Sequence, residues 1–129
     1  MKKVMALRGA VQAKNTGKDI GEQVVLLYDK LLAANGLAEE NIISVIFSVT
    51  GDIDALNPAA ALRQSGRAEQ PALMVFQEGR FPGSLPETIR VLIHCSLEET
   101  AVPRHVYMNG AEALRPDRAA SGPARNAPL

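Results

Sequence analysis

The sequence holds one cysteine, Cys95, among its 129 residues. No disulfide can close within the chain, and a cysteine-built zinc site would have to be shared between chains. A lone cysteine fits a reducing compartment, so a cytoplasmic location is expected. No apolar run approaches the ~18 residues of a membrane span. The first 13 residues pair two lysines with an apolar stretch, but that stretch is too short for a signal segment and Arg8 interrupts it. A soluble protein without a membrane partner is expected. Net charge is missing as well, because Lys+Arg and Asp+Glu both count 14. Nucleic-acid proteins and polybasic membrane binders carry a positive surplus, so neither class fits. There is no Gly-rich phosphate loop, no paired-histidine metal spacing, no Gly-x-Ser-x-Gly elbow and no internal repeat. These absences weigh against metal hydrolysis and nucleophilic catalysis.

What is present describes one globular domain. The length suits a single core, and 47% apolar with 22% charged residues is near the average for a folded protein. The two kinds of cation are segregated. All five lysines lie within residues 1–30, whereas eight of the nine arginines lie from Arg63 onward, with Arg8 the exception. Only the planar guanidinium grips a carboxylate with two prongs. The arginine-rich half therefore hints at an anionic small molecule, with ordinary surface charge as the alternative.

Periodicity predicts the elements. Val4 to Gln12 reads as a strand. Thr16 offers an N-cap oxygen with Asp19 three residues on, and Ile20, Val24, Leu27, Tyr28 and Leu31 recur at helical spacing up to the Asn35-Gly36 stop. Asn41 to Thr50 is β-branched and nearly all apolar, which predicts a central strand buried on both faces. Asn57-Pro58 starts a shorter helix carrying Arg63. Pro71 to Gln77, Glu87 to Ser96 and Pro103 to Met108 read as further strands, and Gly79 to Pro86 as a loop. The fold class is α+β: a single mixed sheet of about five strands with one long and one short helix. The domain is expected over residues 1–117, with a flexible tail over 118–129 where small residues and prolines dominate. One long helix covers only one face of such a sheet, so a homo-oligomer is expected to cover the other.

Three charged residues stand in strands that otherwise want burial. Arg90 interrupts Thr-Ile-Arg-Val-Leu-Ile, Glu78 ends an apolar strand, and Arg8 lies between Leu7 and Gly9. A buried charge without a partner is costly, so these residues must face one another, a ligand or a subunit seam. A salt bridge that merely holds the sheet and a binding site are both open readings. His94, His105 and Cys95 read as structural residues rather than ligands.

Leu7-Arg8-Gly9-Ala10 resembles the opening of the monofunctional AroH-type chorismate mutases. The resemblance continues through Asp52, Pro58-Ala59, Arg63, Gln77-Glu78 and Ile89-Arg90-Val91 to Arg104-His105-Val106-Tyr107 and Leu114-Arg115-Pro116-Asp117. It implies a trimeric pseudo-α/β-barrel with active sites between subunits, chorismate as substrate, prephenate as product and no cofactor. By that resemblance Arg90 faces the breaking ether bond, Glu78 accepts from the ring hydroxyl, and Arg8 with Tyr107 holds a carboxylate. Arg63 comes from the neighbouring subunit's short helix, and Arg115 closes over the mouth beside Leu114. The chain departs from the family pattern at three places. Asn57 stands where a phenylalanine is common, Ala60 next to Ala59 where a lysine is common, and Val75 beside Met74 where a cysteine is common. Asn57 reads as an N-cap in preference to a substrate contact. These changes are expected to weaken affinity while leaving an active enzyme. A Rid-type enamine/imine deaminase and a trimeric binding protein that has lost catalysis are the alternatives.

Overall fold

β1 (Lys2–Gln12) is an interior strand of the sheet. The computed structural model describes residues 1–115; the expected tail and the Pro116-Asp117 end of the domain lie outside the described residues. α1 (Gly17–Asn35) follows β1, then β2 (Ile42–Val49), α2 (Pro58–Gln64), β3 (Ala72–Gln77), β4 (Thr88–Glu98) and β5 (Val106–Met108), with a 3-10 turn at Ala111–Leu114. The strands form one sheet in the order β3-β2-β4-β1-β5. β4 lies antiparallel to both β1 and β2, while β1–β5 and β2–β3 are parallel, so the sheet is mixed as expected.

The helix signals act as read. Thr16 Oγ1 accepts from the Asp19 backbone N–H at 3.1 Å, satisfying one of the unpaired donors of the first turn. Gly36 closes α1 in the left-handed conformation at φ 56°, where a side chain would be strained. Asn57 Oδ1 accepts from the N–H groups of Ala59 and Ala60 at 2.9 and 3.2 Å, so it is the N-cap of α2.

α1 lays Ile20, Val24, Leu27 and Leu31 on one face of the sheet, against Leu7, Val11, Phe47 and Ile93, all buried. Each such side chain contributes roughly 1.5–3 kcal/mol. Gly9 permits the close approach: a Cβ there would stand 2.9 Å from Leu31 Cδ1 and 3.1 Å from Leu27 Cδ1. α2 packs on α1 and on β3.

Two expectations need correcting. β2 is not buried on both faces. Val45 and Phe47 are buried under the helix, while Ser44, Ile46 and Ser48 on the opposite face are only partly covered. Among the described residues nothing packs across the centre of that opposite face, so alternation replaces continuous burial. β5 begins at Val106 rather than Pro103, because Asn35 captures the preceding backbone. Its Oδ1 accepts from Arg104 N–H at 2.8 Å and its Nδ2 donates to Arg104 C=O at 2.9 Å.

Candidate active site

Strand register gathers the functional side chains on the face that α1 leaves bare. Ala10 pairs with Arg90 on one side and Tyr107 on the other, and Ser48 pairs with Arg90 across β2–β4. Period-2 alternation then brings Arg8, Arg90, Tyr107 and Ser48 to one face. They line an open cleft of about 700 Å³. The 3-10 turn closes one end, with Leu114 and Arg115 in the cleft wall.

Glu78 lies just past β3, whose ladder its N–H continues by donating to Val49 C=O at 2.8 Å. Glu78 does not itself line the cleft, but its carboxylate reaches two residues that do. Oε2 accepts from Ser48 Oγ at 2.9 Å and stands 3.1 Å from Arg90 Nε. The Arg90 Nε–H is buried and not aligned on that oxygen, so the contact is an ion pair without a hydrogen bond. Such a contact constrains distance more than direction. The Tyr107 ring packs between Ala10 and Ala111, and its buried hydroxyl has no hydrogen-bond partner among the described residues. A buried hydroxyl left unpaired costs about 1–3 kcal/mol. A hydroxyl kept in that state beside two arginines is suited to a polar, anionic ligand.

The histidines and the cysteine are structural as read. His105 Nδ1 accepts from the Arg8 backbone N–H at 2.9 Å, and His94 Nδ1 lies 2.9 Å from Ser44 Oγ. Cys95 is fully buried in the core, and burial pushes its thiol up from the ordinary range. Among the described residues no group of His, Cys, Asp and Glu is placed to hold a metal ion.

The other residues named from the sequence do not line the cleft of this chain. Asn57, Ala59, Ala60 and Arg63 belong to α2, with Ala59 buried in the core and Arg63 exposed. Met74 is on the bare face but at the edge strand, and 55% exposed. Val75 points the other way and packs against the core beneath α1. Arginine use divides as well: Arg67 grips Asp29 with both prongs, Nε–Oδ1 at 2.7 Å and Nη2–Oδ2 at 2.8 Å, and so ties the end of α2 to α1. Sequence reasoning passed over Ser48. Its one signal is a hydroxyl inside the apolar run Val45-Ile46-Phe47 and Val49.

The chorismate mutase type I family model matches residues 4–118. A chorismate mutase AroH of Thermus thermophilus is 41% identical over 120 residues, covering 88% of this chain and 95% of the relative. One of Bacillus subtilis is 29% identical, covering 88% and 91%. The solved chorismate mutase of Clostridium thermocellum superposes with a TM-score of 0.77 at 40% identity, covering 84% of this chain and 98% of that one. With the cleft and all of the described sheet but Lys2 and Lys3 inside the matched region, the chain belongs to the chorismate mutase type I family.

Proposed function

We propose that the protein is a chorismate mutase, rearranging chorismate to prephenate inside the cleft of Arg8, Arg90 and Tyr107. The observation that carries the reading is the Arg90–Glu78 pair beside the Tyr107 hydroxyl, which has no partner among the described residues. Chorismate is a dicarboxylate with a ring hydroxyl and an enolpyruvyl ether. In the rearrangement the ether C–O bond breaks as a new C–C bond forms, and negative charge grows on the ether oxygen. Arg90 supplies the cation at that oxygen. Stabilising charge that develops only in the transition state accelerates the step. Arg8 and Tyr107 hold the enolpyruvyl carboxylate and so fix the folded conformer in which the reacting carbons meet. Glu78 accepts from the ring hydroxyl. Arg115 and Leu114, in the cleft wall, cover the substrate. The reaction is an isomerisation and needs no redox partner, so no cofactor is assigned.

The bare face supports an assembly of three copies with cleft mouths at the seams. Asn57, Ala60, Arg63 and Met74 would then meet substrate from the neighbouring copy, with Arg63 supplying a further cation. Without a lysine at Ala60 that side of the site holds the dianion less firmly. No described helix is long and apolar enough to cross a membrane, in keeping with an enzyme that acts on a water-soluble substrate.

The test is turnover. Purified protein mixed with chorismate should produce prephenate well above the uncatalysed rate. Chorismate binding without prephenate formation would instead favour a binding protein that has lost catalysis.

A further inference from the structure

Ser48 has no role in the assignments above, yet it stands in the cleft wall opposite Arg90. A glutamate side chain has three rotatable bonds, and an acceptor is useful only if its free oxygen is aimed. Among the described residues two groups hold the Glu78 carboxylate, and both act on Oε2. Arg90 Nε lies 3.1 Å away without hydrogen-bond alignment, whereas Ser48 Oγ donates at 2.9 Å. Ser48 therefore makes the directional contact among the described residues, and Oε1 is left to accept from a ligand. The two contacts also differ in what substrate does to them. Arg90 must turn part of its charge toward the ether oxygen and away from Glu78. The serine serves no other acceptor among the described residues and keeps its hold.

We infer that Ser48 is a positioning residue, which fixes the Glu78 carboxylate so that its second oxygen receives the ring hydroxyl of the substrate. The inference rests on the proposed role of Glu78. It reaches the substrate only through that side chain.

The experiment is a kinetic comparison of Ser48→Ala, Ser48→Thr, Glu78→Gln and the Ser48→Ala/Glu78→Gln double variant with chorismate. The hydroxyl contact is present in the ground state and the transition state alike, so losing its alignment raises KM more than it lowers kcat. Ser48→Ala should raise KM roughly tenfold, the scale of one hydrogen bond to a charged group, and change kcat less than about twofold. Ser48→Thr keeps the hydroxyl and should restore KM. In the Glu78→Gln background, Ser48→Ala should have no further effect. Ser48→Cys, close to isosteric but a weak donor, makes the same comparison should the alanine variant fold poorly. A normal KM in Ser48→Ala beside an impaired Glu78→Gln overturns the inference and leaves the Glu78 role standing. An equal loss from Ser48→Ala with or without Glu78 also overturns it. Wild-type kinetics in Glu78→Gln would remove the Glu78 role itself, and this inference with it.

Discussion

Tyr107 carries a penalty among the described residues that a bound ligand would remove. Its hydroxyl is buried and unpaired among the described residues. Replacing such a group with hydrogen is close to neutral or stabilising, because no partner is orphaned. Tyr107→Phe should therefore melt at the wild-type temperature or above, while its KM for chorismate rises about tenfold or more, the loss of one bond to a carboxylate. A lower melting temperature with an unchanged KM would show the hydroxyl to be structural. Asp52 shows the opposite case, a polar group fully engaged. Its carboxylate accepts from the Thr50 hydroxyl and from the Glu87 N–H, which hold it below its ordinary value of 3.8. It thereby pins Glu87, whose φ is 47°, at the far end of the loop that starts beside Glu78. A depressed carboxylate stabilises the fold above its unfolded pKa and loses that contribution as pH falls through its folded value. The stability gap between wild type and Asp52→Asn should be full at neutral pH and shrink below about pH 4 in urea titrations. A gap independent of pH would contradict the role.

Elements were legible where a local signal has a local cause. Thr16, Gly36 and Asn57 each satisfy or release backbone groups within a few residues of themselves, so caps could be read from short strings. Asn57→Ala should cost about 1 kcal/mol of stability by loss of the α2 cap, whereas Asn57→Asp should cost much less. Equal melting temperatures for the alanine variant and wild type would show that the cap contributes nothing. The charged residues at odd places, Arg8, Glu78 and Arg90, were legible for a related reason: a charge in an apolar strand must be answered by something. What failed depended on distant partners. The burial of β2 on both faces could not be judged without knowing that α1 covers one side alone. The start of β5 was lost to Asn35, 69 residues away from Arg104. The direction of Val75 follows from the register of β3 on β2, which no string of residues states. Ser48 was missed because its partner, Glu78, sits just past another strand.

At the scale of the whole molecule, one sheet has two different faces. One is sealed by α1 around Leu7, Phe47 and Ile93, and the other carries the cleft flanked by exposed Met74 and Phe76 at 55% and 52%. An apolar border beside an active cleft suits a subunit seam. Phe76→Asp should lower the assembly's mass in sedimentation equilibrium from that of three chains toward one. A wild-type protein that sediments as a single chain would refute the trimer. The same view explains the neutral charge sum. The early lysines stand apart from the site, Arg67 is spent on Asp29, and Arg8, Arg90 and Arg115 gather at one cleft. Family membership decides for the mutase over an imine deaminase. The proposed stabilisation of the ether oxygen by Arg90 in the transition state is tested by kcat for chorismate in Arg90→Ala. A fall of at least ~100-fold, in protein that keeps the wild-type fold and assembly, is the predicted result. A fall of only a few-fold would contradict it.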